Sequence, residues 1–372
     1  MRFFATAAKG TEPALRDELR ELRLPSVRAD RGGVHFEGDM GHAARACVWS
    51  RIAVRVLAHV TAFEARDGEA LYEGVRAVDW TDWVTDRTTV AVRATCRSSQ
   101  LTHSQFVAQK TKDAVVDTVR DRLGARPSVD REDPDIGIAV HLAKDTATIY
   151  LDVGGQSLHE RGWRAFAGEA PLRETLAAAI LRLSGWDRKR PLVDPMCGAG
   201  TVAIEAIAWA RKLAPGLAHA RFGFERWASH DTTERKAMAD LRAAAKAEAL
   251  PHGPMVIGSD VSPRVLELAE RNARAAGVLG DDFRLERRDV RGLGPTHPPG
   301  FVVTNPPYGE RLDGDFALYD GMAHAFRSLR DHTLAILAGS PAIGQAMRRR
   351  PDRYWQLYNG PLECRLLVYE IP

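Results

Sequence analysis

Apolar positions change rhythm near residue 160. Before it they alternate with polar residues in short runs; beyond about residue 170 they form compact runs separated by helical patterns. In the first 60 residues, Phe3-Phe4-Ala5 predicts a short strand. Thr11 predicts an N-cap, and Leu15, Leu19 and Leu22 lie on one face of the helix that follows. Gly32-Gly33 turns the chain into a second strand at Val34-His35-Phe36. Val54, Val56, Ala58 and Val60 then alternate as a half-buried strand does, opening a second unit that reaches about residue 155. That unit holds a helix around Leu71 to Val78, a strand at Thr89 to Arg93 and a long polar helix from Gln105 to Arg122. Ile136 to His141 and Ala147 to Val153, joined by Lys144-Asp145, predict a hairpin.

From about residue 170, buried strands alternate with helices, the signature of a parallel sheet covered on both faces. Leu192-Val193, Met255 to Ile257, Phe283 to Leu285, Phe301 to Thr304 and Thr333 to Leu337 predict its strands. Ser262 with Pro263 marks a helix start. Tyr354 to Tyr358, a turn at Asn359-Gly360 and Leu366 to Ile371 predict a terminal antiparallel hairpin. A stretch from about 213 to 253, with an Ala-rich helix from Thr233 to Leu250, is inserted between the first two strands.

Composition narrows the function classes modestly. A chain of 372 residues has room for two or three compact units. It shows neither a secretory leader nor a run long enough to cross a bilayer, so a soluble, cytoplasmic protein with no membrane partner is expected. Cys47, Cys96, Cys197 and Cys364 are scattered, which predicts reduced thiols and no structural metal. Eight of the 52 basic residues are lysine and 44 arginine. Arginine forks suit phosphates and stacked bases, although GC-rich coding raises arginine everywhere.

The residues with the most chemistry are Asn305-Pro306-Pro307-Tyr308, directly behind Phe301 to Thr304. An exocyclic nucleobase amine is a poor nucleophile because its lone pair is delocalised into the ring. The Asn305 side-chain oxygen and the Pro306 carbonyl are candidate acceptors for its hydrogens, favouring a pyramidal nitrogen, and Tyr308 offers a flat face to an extruded base. An ordinary strand-ending turn is the plain alternative.

A second loop, Asp194-Pro195-Met196-Cys197-Gly198-Ala199-Gly200-Thr201, joins a buried strand to a helix. Gly198, Gly200 and Ala203 also fit the spacing of a dinucleotide fingerprint, so the loop alone leaves a nicotinamide cofactor and S-adenosylmethionine both open. Asp194 favours the latter: a carboxylate there suits the ammonium of a methionine moiety and repels a pyrophosphate. Asp260 is placed to accept from ribose hydroxyls, and Asp289 from an adenine amino group. Cys197 reads as a packing residue.

With both turns placed, the chain resembles the THUMP-domain guanine-N2 RNA methyltransferases. The resemblance rests on Phe4 to Ala7 with Gly10-Thr11-Glu12, Leu151-Asp152, Ser157 to Arg164, Pro171 to Ala177, Asp194 to Gly200, Phe222 to Glu225, Asn305 to Leu312 and Asn359 to Glu363. It implies an α/β architecture: a ferredoxin-like domain at 1–60, a THUMP RNA-binding domain at 61–155, a linker at 156–170, and a Rossmann-like class I methyltransferase domain at 171–372. It implies S-adenosylmethionine as cofactor, held by Thr175, Asp194, Gly198, Gly200, Asp260, Asp289 and Asn305. RNA is the implied partner. Arg161, Arg164 and Arg311 are candidates for contact with phosphate or the flipped nucleotide, interdomain ion pairing being the alternative. Glu160, where many relatives carry lysine, reverses a charge. His159 reads as a structural hydrogen bonder, and Arg348-Arg349-Arg350 as a solvated face.

The expected chemistry is methyl transfer to the N2 amine of a guanine, in tRNA by a slight preference because THUMP domains accompany tRNA enzymes, or in 23S ribosomal RNA. Adenine-N6 methylation of DNA, a noncatalytic RNA-binding factor and a nicotinamide oxidoreductase are the competing readings.

Overall fold

A computed structural model describes residues 1–164, 172–307 and 316–372. The N-terminal half forms one eight-stranded sheet. Its strands are β1 (Arg2–Thr6), β2 (Arg28–Asp30), β3 (Gly33–Glu37), β4 (Arg55–Glu64), β5 (Thr89–Arg97), β6 (Ser128–Val129), β7 (Ile136–Ala143) and β8 (Thr146–Asp152), in the order β2-β3-β1-β4-β8-β7-β5-β6. Register places Phe3 opposite Ala58, Ala58 opposite Leu151 and Leu151 opposite Ile138, so one face carries a continuous apolar row. Helices α1 (Glu12–Glu21), α2 (Met40–Trp49), α3 (Gly68–Arg76) and α4 (Ser104–Leu123) bury that row in a shared core with Leu15, Leu19, Val48, Leu71, Val75 and Val115.

The expected division into two units at residue 60 meets a structural fact. Strand β4 runs through 60 unbroken, pairing with β1 of the first unit and β8 of the second. Its only concession is a shift of register between His59 and Thr61, which twists the strand where the units join. The Lys144-Asp145 turn is as predicted, with both residues at positive φ, the geometry of a two-residue hairpin turn.

The second sheet follows the doubly wound plan. Its strands are β9 (Leu192–Asp194), β10 (Val256–Asp260), β11 (Phe283–Arg287), β12 (Phe301–Thr304), β13 (Thr333–Ala338), β14 (Arg353–Asn359) and β15 (Leu362–Glu370). The order is β11-β10-β9-β12-β13-β15-β14, with β15 the antiparallel strand that joins the edge hairpin to the parallel five. The hairpin turn itself is Gly360-Pro361, one residue later than predicted, because Asn359 pairs with Leu362. Around the sheet lie α5 (Glu174–Leu183), α6 (Thr201–Ala210), α7 (Thr232–Ala247), α8 (Pro263–Ala275), α9 (Phe316–Arg327) and α10 (Ala342–Ala346). Apolar residues of α5 and α6 merge with the N-terminal core, while Met322, Phe326, Leu334, Ile336 and Tyr369 form a second core on the opposite face. Helix α7, the predicted insertion, packs against α2 of the first unit and so ties the halves together.

Candidate active site

Strand β9 lies at the centre of the five parallel strands, where the chain has gone to β10 and β11 on one side before crossing to β12 on the other. In open α/β sheets this reversal leaves a crevice beyond the strand ends, and ligands bind there. Gly258 of β10 pairs opposite Asp194, so β10 extends two residues past β9, to Asp260. The tip of β12 carries Asn305 on the other side of the notch.

The loop after β9 is pinned to the tip of β10. Asp260 Oδ2 accepts from the Gly198 N–H at 3.2 Å and Oδ1 from the Ser262 N–H at 2.9 Å. The Cys197 N–H donates to the Ser259 carbonyl at 2.9 Å, and Asn272 Nδ2 of α8 donates to the Ala199 carbonyl at 3.0 Å. Gly200 opens α6 at φ +85°, a conformation L side chains rarely adopt, and a Cβ there would press on Ala269 and Ile204 at 3.2 and 3.3 Å. Cys197 is buried, its thiol pKa pushed well up by burial and by Asp194, and it packs against Gly258 as an inert small residue.

Asp194 is 2 % exposed; the Met196 N–H reaches it at 3.4 Å, a long bond, and the Thr304 hydroxyl lies beside it. Burial pushes its pKa up to about 7, with the Asp260 charge adding to the effect. A buried carboxyl so poorly paired is a site for a cation. Four buried oxygens of the segments around these strand ends have no geometric hydrogen-bond partner among the described residues: Thr175 Oγ1 at the start of α5, Ser259 Oγ on β10, Thr304 Oγ1 at the end of β12 and Asn305 Oδ1 beyond it. Buried polar atoms are nearly always hydrogen-bonded, so a group of orphans around one crevice fits a polar ligand with donors to give. A methionine ammonium and ribose hydroxyls are such donors.

Asp289 is more committed than expected. Both its oxygens accept from the Arg291 guanidinium, at 3.0 Å from Nε, and the pairing holds its pKa below the usual carboxylate range. The Asn305 turn is braced by a residue the sequence did not single out: Tyr319 Oη of α9 donates to the Pro307 carbonyl at 2.8 Å. Tyr308 and Arg311 lie outside the described residues.

The expected RNA contact by Arg161 is corrected by its environment. The side chain is buried, and it donates to Glu205 of α6 at 3.3 Å, to the Arg51 carbonyl at 2.6 Å and to the Leu158 carbonyl. Arg51 reaches the other Glu205 oxygen at 3.4 Å, across 154 residues of sequence. The two guanidiniums and one carboxylate thus join the first unit, the linker and α6. Arg164 is likewise turned inward. It donates to Glu174 at 2.8 Å, to the Leu172 carbonyl at 2.8 Å and to Thr201 Oγ1 at 3.1 Å, stapling the start of α5 to the start of α6 beside the crevice. Thr175 is held near the loop by this staple. His159 bonds Ser157 at 2.6 Å and is neutral, its pKa lowered to about 4 by burial and by Arg173, Arg161 and Arg164, which suits its structural reading. None of the four cysteines forms a disulfide among the described residues, no group of three ligating residues that could hold a metal occurs among them, and no described helix is long and apolar enough to cross a membrane.

A Rossmann-like sheet closed by an antiparallel hairpin, with acids at the tips of β9 and β10, defines a class I methyltransferase fold behind a THUMP-bearing N-terminal half. The chain belongs to the RMKL-like methyltransferase family. Residues 161–367 match its RMKL-like methyltransferase domain, 65–152 the THUMP domain and 2–57 the RlmL ferredoxin-like domain. The interval 58–64 between the last two matches falls in β4, the shared strand. Ribosomal RNA large subunit methyltransferase K/L of Syntrophotalea carbinolica is 42% identical over 100% of this chain and 54% of that protein. The protein of the same name from Methylococcus capsulatus is 43% identical over 99% of this chain and 51% of its own length. The chain thus spans about half the length of the curated relatives it matches. The crystal structure of SMU.472 complexed with SAH superposes with a TM-score of 0.89 at 32% identity, covering 100% of this chain and 98% of that one.

Proposed function

We propose that this chain transfers a methyl group from S-adenosylmethionine to the exocyclic N2 amine of a guanine in large-subunit ribosomal RNA. The observation that carries the chemistry is the buried Asn305 Oδ1 at the tip of β12, without a partner among the described residues, across the notch from Asp194 and Asp260. The names of the curated relatives favour ribosomal RNA over the tRNA preferred on THUMP grounds alone.

In this reading Asp194 receives the methionine ammonium, Asp260 the ribose hydroxyls, and the backbone at Gly198 and Gly200 lets the ligand lie against the loop. Thr175 borders the methionine end. Asp289 accepts from the adenine amino group through lone pairs that Arg291 leaves open. Bound there, S-adenosylmethionine supplies an electrophilic methyl on a sulfonium. Asn305 Oδ1 and the Pro306 carbonyl accept the two amine hydrogens and hold the nitrogen pyramidal, so that its lone pair points out of the ring plane. Tyr308 stacks the extruded guanine. No strong base is needed, because the nitrogen becomes acidic once it carries the methyl and can release its proton to water.

The test is methyl transfer from labelled S-adenosylmethionine to separated ribosomal RNA, tRNA and DNA from cells lacking the gene, with the nucleosides identified by mass spectrometry. N2-methylguanosine in large-subunit RNA is the expected product. N2-methylguanosine in tRNA alone would move the substrate, and N6-methyladenine in DNA would overturn the assignment.

A further inference from the structure

The N-terminal sheet has a second face that is covered only in part: Leu57 and Asp152 on it are buried, while Phe4, His35, His59 and Tyr150 reach solvent. Residues on it alternate with the buried row, and they include a set of rings that an ordinary solvated sheet has no reason to collect. Phe4 of β1 lies 4.7 Å from His35 of β3 and 6.4 Å from Tyr150 of β8, and His59 of β4 meets Tyr150 edge-on at 5.8 Å. All four are partly buried and reach solvent. The Phe4 ring also covers Gly33, where a Cβ would fall 2.6 Å from it, so the glycine is what lets the ring lie flat on the sheet. Four adjacent strands therefore present four rings across roughly 14 Å.

Arginines border this row. Arg2 places a guanidinium nitrogen 3.3 Å from both ring nitrogens of His59, Arg28 pairs in register with His35, and exposed Arg93 lies on β5 beyond Ala139, the register partner of Tyr150. Of the nearby acids, Asp152 is fully buried and shared by Arg55 and Arg93, Asp30 is paired with His35, and exposed Glu37 is the register partner of Arg2. His59 is held neutral by burial and by Arg2, leaving a π face rather than a cation.

We propose that this open face is a stacking platform for an unpaired segment of RNA, with bases on Phe4, Tyr150 and the two histidines and phosphates on Arg2, Arg28 and Arg93. The arrangement suits single strands because every base has a π face, whereas a helix hides its bases and offers only backbone. The platform rests on the reading of the chain as an RNA-modifying protein and adds where, outside the crevice, the RNA is gripped.

The experiment uses the full chain and a fluorescein-labelled, unstructured oligoribonucleotide of about a dozen nucleotides, within the range one such platform spans, alongside the same sequence annealed to its complement. Wild type should bind the single strand more tightly than the duplex. Tyr150→Ala should weaken single-strand binding by roughly 5-fold to 100-fold, the effect of losing one stacked base, and Tyr150→Phe should restore it to within about twofold. Arg2→Gln, on an exposed side chain, should flatten the slope of log affinity against log salt by about 0.7. Cofactor affinity measured by calorimetry should match wild type in all three, which guards against misfolding. Single-strand binding unaffected by Tyr150→Ala would overturn the platform, as would preference for the duplex, or self-association of wild type that Tyr150→Ala abolishes while oligonucleotide binding stays. The two readings separate cleanly. Methylated ribosomal RNA with insensitive oligonucleotide binding sinks the platform alone, and ring-dependent binding with no methylated RNA sinks the proposed reaction alone.

Discussion

The two sheets solve opposite problems with the same backbone physics. The C-terminal sheet buries both faces, so its strands read as compact apolar runs such as Phe301-Val302-Val303 and Thr333 to Leu337, and its chemistry is confined to the strand tips. The N-terminal sheet buries one face, so its strands alternate over much of their length and the other face is covered only in part, at Leu57, Gly137 and Asp152. A covered sheet therefore concentrates a few convergent polar groups in a notch, which suits a small ligand. An open one spreads rings and guanidiniums over a surface, which suits a polymer. The joint between them, Arg161 and Arg51 on Glu205, is where the two designs meet.

The joint should give the largest effect. Arg161→Ala leaves Glu205 buried with one partner fewer, and a loss of about 3 to 5 kcal/mol is expected in denaturant unfolding. A loss below about 1 kcal/mol would mean that the halves are held by apolar packing alone. Next comes the notch. Asn305→Ala should lower turnover on the order of 10²-fold to 10³-fold with cofactor binding largely retained, as for removal of a single oriented dipole; turnover within a few-fold of wild type would remove Asn305 from the reaction.

Asp194 gives a pH signature confined to the same notch. With a folded pKa of about 7 against an ordinary 3.8, the folded protein holds a proton there that the unfolded chain releases. Stability from this group is thus greatest at low pH, falls as pH rises from about 4 to about 7, and is level above that. An ammonium-bearing ligand needs the carboxylate, so cofactor affinity should rise about tenfold per pH unit below 7 and plateau above it. Asp194→Asn should flatten both profiles in calorimetry and thermal melts, weaken the cofactor and stabilise the free protein at pH 8. The smallest effect belongs to the open face: His141→Ala, at an exposed position of β7, should change stability by less than about 0.5 kcal/mol. A larger loss would show that the face is covered after all.

Elements with strong periodicity were legible residue by residue. Leu15 and Leu19 are fully buried on α1 as their spacing predicts, and the insertion helix runs from Thr232 to Ala247, close to the predicted Thr233 to Leu250. Caps were less legible. Thr11 and Ser262 precede helices as predicted but make no capping bond with their side chains, whereas Asp39, Asp67 and Asp231, which carried no such expectation, do. A cap depends on one torsion angle at one residue, and type and position alone leave that angle open.

By itself the sequence determined the alternation of one sheet, the covered strands of the other, the acid at the end of each of β9 and β10, and Asn305 at the end of β12. These are local properties, written in periods of 2 and 3.6 residues and in single turns. Only the tertiary structure decided that β4 serves two domains, that Arg161 and Arg164 point inward, that Asp289 is already held by Arg291, and that Phe4, His35, His59 and Tyr150 share a face. Each of these depends on which distant segment a side chain meets once strands pair and helices dock, and an arginine 154 residues from its carboxylate leaves no mark of that meeting in the chain around it.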